Sequence, residues 1–171
     1  MMKNNMIINC KAYAKVNLGL DVLRRREDGY HDVKMIMQTV DLYDNITVEK
    51  TDSGIEITSN VKYVPNDENN LMYKAAKLLM DEFSVSGGVK LTLEKNIPVA
   101  AGMAGGSTDA AAVLKAVNTV FALGLSQEEL MKRAVNLGAD VPYCIMGGTA
   151  LSDGIGEVLT KIEGMPECHI L

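Results

Sequence analysis

The run Pro98-Val-Ala-Ala-Gly-Met-Ala-Gly-Gly-Ser-Thr-Asp-Ala-Ala-Ala-Val-Leu114 holds the residue types best suited to chemistry in this chain. Gly102, Gly105 and Gly106 allow positive φ and let a ligand approach without meeting a Cβ. An Ala-rich helical run to about Leu123 follows, and the start of such a helix presents unpaired N–H groups and a positive dipole end, which favour a phosphate. Ser107 and Thr108 add hydroxyl donors there. The spacing predicts a phosphate-binding loop, but an unusual one. No lysine follows Gly106, as a P-loop requires, and G-x-G-x-x-G is absent. A plain glycine-rich turn capped by Ser107 is the alternative.

Three other places combine reactive side chains with unexpected surroundings. Arg25-Arg-Glu-Asp-Gly-Tyr-His31 reads as a hairpin tip through Asp28-Gly29, yet it carries an aromatic ring and an imidazole. Tyr30 could stack on a nucleobase and His31 could hydrogen-bond a base edge. Lys15 interrupts an apolar stretch, Lys11-Ala-Tyr-Ala-Lys-Val-Asn-Leu18, where the alternative is a solvated lysine on an edge strand. Asp140 lies in Leu137-Gly-Ala-Asp-Val-Pro-Tyr143, where a helix N-cap is the alternative.

The elements that must position these residues follow from the pattern of apolar positions. Ile7 to Tyr13, Val16 to Leu23 and Val33 to Val40 read as strands, and Asn45 to Lys50 with Gly54 to Ser59 as a strand pair. Asn70 to Phe83 reads as a helix and Val89 to Lys95 as the strand before the glycine run. Ser126-Gln-Glu-Glu129 is a capping box opening a helix to about Leu137, broken at Gly138-Ala-Asp-Val-Pro142. Gly147 to Ser152 and Glu157 to Ile162 form a last hairpin. Strands come early and helices late, so the expected class is α+β, a mixed or antiparallel sheet packed by helices.

At 171 residues, with 47% apolar and 23% charged side chains, the chain has the size and composition of one soluble globular domain. Its net charge of −5 argues against a general nucleic-acid partner. No apolar run approaches a membrane span and Met1-Met-Lys-Asn-Asn-Met-Ile-Ile8 lacks the marks of a signal peptide, so a cytoplasmic location without membrane partners is expected. Cys10, Cys144 and Cys168 fit no metal pattern and are expected as reduced, mostly buried thiols. The 11 methionines read as core filler.

Taken together, the motifs resemble those of the GHMP kinases, small-molecule kinases with their own phosphate loop. The run from Pro98 looks like their Pro-x-x-x-Gly-x-x-Gly-Gly-Ser-Ser/Thr-x-Ala-Ala loop. Ala14-Lys-Val-Asn17 and Gly138-Ala-Asp-Val-Pro142 look like signatures of one branch, and Arg-x-Asp-Gly-Tyr-His resembles its cytidine-gripping element. The resemblance implies ATP as co-substrate, magnesium with its protein ligands unknown and Ser107 the first candidate, and a small-molecule acceptor, a cytidine diphosphate-linked methylerythritol. It implies Asp140 as general base and Lys15 as the supporting charge that offsets the transferred phosphoryl. ATP would be held by Pro98, Val99, Ala100, Ala101, Gly102, Met103, Ala104, Gly105, Gly106, Ser107 and Thr108, with Asn70, Leu71 and Lys95. Asn17, Tyr30 and His31 would hold the acceptor. Such kinases continue into a second domain, so residues 1–163 are expected to be the N-terminal, ATP-binding domain and 164–171 the start of a truncated C-terminal one, with Cys168 to Leu171 beginning a strand. A catalytically silent nucleotide-binding fragment, or a kinase of the same family for another small alcohol, are the alternatives. Oligomeric state is left open.

Overall fold

The computed structural model describes residues 6–170; the expectations for residues 1–5 and Leu171 lie outside the described residues. The architecture is a sheet with helices on one face. Two long strands, β1 (Ile7–Arg25) and β2 (His31–Thr51), form an antiparallel ribbon that runs the length of the sheet. On its other side β2 pairs with β4 (Gly88–Glu94) through residues 45–51 and with β5 (Thr149–Asp153) through residues 35–38, both antiparallel. β3 (Gly54–Ser59) lies beyond β4 and parallel to it, and β6 (Val158–Lys161) lies beyond β5.

Alternation decides which face is covered. Ile46 and Val48 on β2 and Val89, Leu91 and Leu93 on β4 are buried, whereas Thr47, Lys90 and Thr92 point the other way. Against the apolar face pack α1 (Leu71–Glu82) through Met72, Ala75, Ala76 and Leu79, and α2 (Gly105–Val120) through Val113, Leu114 and Val117. α3 (Gln127–Ala134) and α4 (Val141–Met146) close the core with Leu130, Ala134, Val141 and Ile145. Asn70 caps α1 by accepting from Met72 N–H, and Ser126 and Glu129 form a complete capping box on α3.

Several expectations need correction. The two early strands are one strand, β1, and residues 33–40 and 45–50 belong to one strand, β2; bulges in their pairing look like breaks in the sequence. The strand pair of residues 45–50 with 54–59 does not exist, because β4 is inserted between them. Gly88 makes that insertion possible: a Cβ there would overlap the Ser53 carbonyl and the Gly54 oxygen. α3 ends at Ala134, and a further helix, α4, begins just after the break at Gly138. Residues 162–170 have no regular structure, so no strand begins at Cys168. The thiols are free, but Cys10 and Cys144 are only half-buried and Cys168 is exposed. Among the described residues, no helix is long and apolar enough to cross a membrane.

Candidate active site

The glycine run wraps the N-terminus of α2 and forms one wall of a cavity of about 620 Å3. Its backbone differs from the expected one. Of the three glycines expected at positive φ, only Gly102 adopts it, at 73°; the left-handed turns fall instead on Ala100 (61°) and Ala104 (57°). Gly105 is required for space, since a Cβ would lie 2.8 Å from Lys95 Nζ. Ser107 is not the cap. Ala104 occupies that position, with no side-chain hydrogen bond to the helix start. The first N–H bonded within α2 is that of Thr108, to Ala104 O. The earlier ones, at Gly105, Gly106 and Ser107, therefore end a 16-residue helix without a capping side chain.

Beneath this loop lies a buried ion cluster. Lys95 Nζ is 2.5 Å from Asp44 Oδ2 and 2.8 Å from Asp109 Oδ2, and all three side chains are nearly inaccessible. Asp44 Oδ1 accepts from Asn96 N–H and Ile97 N–H, which joins β2 to the segment entering the loop. Asp109 Oδ1 has no partner. Burial, with Lys95 opposing and Asp44 assisting, pushes the Asp109 carboxyl up to about 7. The sequence reading missed Asp44 and Asp109. Asp44 shares a strand face with Ile46 and Val48, and Asp109 sits in the buried Ala-rich run; those placements were the available signal.

The same cavity is lined by Lys15, Asn17 and Asp140. Along β1, burial alternates through Lys11, Ala12, Tyr13 and Ala14, then Lys15 breaks the pattern and is also buried. The cause is a bulge. Tyr13 pairs with Tyr43 and Lys15 with Thr39, so three residues of β2 oppose Ala14 alone and β1 is re-aimed. Lys15 N–H donates to Met103 O of the loop, and Lys15 Nζ donates to Asn17 Oδ1 at 3.1 Å. Asp140 Oδ2 lies 3.9 Å from Lys15 Nζ, close enough for an ion pair and too far for a hydrogen bond. Asp140 does occupy the N-cap position of α4, but its side chain caps nothing. α4 itself is pinned by buried Tyr143, whose hydroxyl donates to Gly148 O at 2.6 Å and lies 3.1 Å from Thr39 Oγ1.

The remaining expected residues divide between the cavity and elsewhere. Asn70, Leu71, Lys95 and the loop from Pro98 to Ser107 line the cavity with Lys15, Asn17 and Asp140. Thr108 does not; it is buried and donates through Oγ1 to Tyr13 O. Tyr30 and His31 are exposed at the far tip of the β1–β2 ribbon, outside the cavity lining. There Arg26 pairs with Asp28 and Asp32, and Tyr30 N–H donates to Asp28 Oδ1.

Magnesium does not fit this donor set as a protein-held ion. No group of three metal-ligating side chains exists among the described residues, and each carboxylate at the cavity already faces a lysine. An ion arriving on nucleotide phosphates needs few protein ligands.

A mixed sheet thus carries its helices on one face, and a glycine loop at an uncapped helix shares a cavity with a lysine–aspartate pair. Residues 70–148 match the GHMP kinases N terminal domain. The chain belongs to that family, of which it carries the N-terminal domain. Within the family it is 58% identical over 156 residues to the 4-diphosphocytidyl-2-C-methyl-D-erythritol kinase of Clostridium botulinum (strain Eklund 17B / Type B), covering 91% of this chain and 56% of that protein. The crystal structure of a 4-(cytidine 5'-diphospho)-2C-methyl-D-erythritol kinase superposes with a TM-score of 0.80 at 40% identity, covering 91% of this chain and 55% of that one. Methanococcus jannaschii mevalonate kinase, at 18% identity, shares the fold, with a TM-score of 0.68 over 96% of this chain and 57% of its own. The chain thus spans little more than half the length of these relatives.

Proposed function

We propose that this chain supplies the nucleotide-binding and phosphoryl-transfer half of an ATP-dependent kinase acting on 4-diphosphocytidyl-2-C-methyl-D-erythritol, with the 2-hydroxyl as acceptor. The observation that carries the reading is the facing of Lys15 and Asp140, 3.9 Å apart, in one cavity with the loop and the uncapped start of α2. The N–H groups at Gly105 to Ser107 hold phosphate oxygens, and the helix dipole favours their charge. The Asp140 carboxylate, free of any capping role, takes the proton of the attacking hydroxyl. Lys15 stands beside it and offsets the charge spreading over the transferred group. Asn17, bonded to Lys15, places the acceptor. Asn70 and Leu71 border the nucleotide side.

The cytidine-reading role belongs to Tyr30 and His31, and it rests on similarity to the Clostridium botulinum kinase and on the exposed pair itself. We also place the end of the N-terminal domain near residue 163, two residues after β6 ends at Lys161. The unpaired cysteines suit a reducing cytoplasm. A second reading, nucleotide binding without transfer, is favoured by the position of Tyr30 and His31 outside the cavity lining.

Phosphorus NMR decides between them. The chain is incubated with ATP, magnesium and the cytidine diphosphate-linked acceptor. A new phosphomonoester, with inhibition by free CDP, is expected. ATP binding without that signal leaves the second reading. A kinase for another small alcohol would be unaffected by CDP.

A further inference from the structure

The cluster of Asp44, Lys95 and Asp109 presents an electrostatic problem at a phosphate site. Two carboxylates share one ammonium, so with both ionised a net negative charge is buried directly under the loop that should receive an anion. The contact is close, because Lys95 Nζ packs against Gly105 at the start of α2. The hydrogen bonds show where this charge can be removed. Asp44 is fully occupied, with one oxygen on Lys95 and the other on two backbone N–H groups. Asp109 is bonded through Oδ2 alone, and Oδ1, in a side chain 5% exposed that lines the cavity, meets nothing. A buried oxygen without a donor is costly, and a proton turns it into a donor.

We propose that Asp109 is a proton-carrying part of the phosphate site: binding of nucleotide phosphate in the loop and uptake of a proton on Asp109 Oδ1 favour each other. The inference rests on the phosphate-loop reading above. The proton comes from solvent, and no other bond is made or broken. With Asp109 neutral, Lys95 and Asp44 cancel and the bound anion meets no net charge beneath it. Oδ1 then carries a proton where it had no hydrogen-bond partner. The charged groups facing Asp109 are Lys95 after β4 and Asp44 on β2, with Lys15 on β1 and Asp140 before α4 lining the same cavity; α1 contributes only uncharged Asn70 and Leu71. A carboxyl already raised to about 7 by burial is poised for this coupling near neutral pH.

The sign is fixed by linkage. An anion raises the pKa of Asp109 in the complex above its free value, so affinity is full below about pH 7. Above that it falls, by up to about tenfold per pH unit, until the pKa of the complex is passed. Calorimetric titration of the chain with magnesium-ATP between pH 7 and 8.5, in buffers of different ionisation enthalpy, counts the protons. The wild-type chain should take up a substantial fraction of a proton more than Asp109→Asn, whose neutral side chain should bind with a flatter pH profile. Equal proton counts and slopes in two folded proteins would overturn the proposal, and so would loss of binding in a folded Asp109→Asn. If that variant fails to fold, infrared difference spectra on release of caged ATP serve instead. Gain of a protonated-carboxyl C=O band in the wild-type chain supports the coupling, and no gain defeats it. Absence of any ATP binding would overturn the phosphate-loop reading itself, and this inference with it; binding without extra uptake removes only the inference.

Discussion

Asp140 and Asp109 show how similar carboxylates acquire different work from their surroundings. Asp140 starts a short helix, caps nothing, and faces Lys15 at 3.9 Å in the cavity. In the proposed reaction Asp140 is the base, and Asp140→Asn keeps the shape and loses it, so turnover should fall by ~10²–10⁴ while ATP affinity, read by titration, stays near wild type. Wild-type turnover in the variant would remove Asp140 from the chemistry. Asp109 is locked beneath the loop, with its carboxyl raised to about 7. Because the folded state holds a proton that the unfolded chain has released, its contribution to stability declines as pH rises from the ordinary 3.8 to about 7, then levels. Urea midpoints across that range should fall for the wild-type chain and change less for Asp109→Asn. Parallel curves would contradict the burial argument.

At the scale of elements, the insertion of β4 between β2 and β3 depends on one close approach. Gly88→Ala has no room against the Ser53–Gly54 backbone, so β4 must shift in register or withdraw. A loss of about 1–3 kcal/mol is expected, typical of overpacking, with the thermal midpoint as the readout. An unchanged midpoint would mean that the turn moves freely. Much of this layer was legible in the sequence: the helix that opens after Asn70, the Ser126 box, the strand before the loop and the last hairpin all stand where local chemistry put them. What escaped was non-local. Nothing between residues 45 and 59 announces that a strand from residue 88 onward will part them. Lys15 could be singled out by its apolar neighbours, but its burial follows from a bulge made by residues 40–42 on the other strand. The left-handed alanines of the loop were hidden because glycines stood beside them as better candidates for positive φ.

Over the whole molecule, the described sheet ends in β1, a 19-residue edge that pairs with β2 alone and exposes Leu18, Leu20 and Val22. Such an edge invites pairing with another chain. Sedimentation velocity should show the mass rising with concentration, and lysine at Leu20 and Val22 should hold the chain monomeric; a constant mass would show that the edge is protected. The parted strands also bear on the order in which the chain acquires its pairings. β2 and β3 leave the ribosome together, joined by a short turn, and can zip locally within microseconds. The strand that belongs between them arrives only after α1 has been made. Pulsed hydrogen exchange would detect the premature zipper as early protection of Ile55 and Ile57, lost and then regained. For a nascent chain the hazard is closing too soon: until β4 has been synthesised, the nearest partner for β3 is the wrong one.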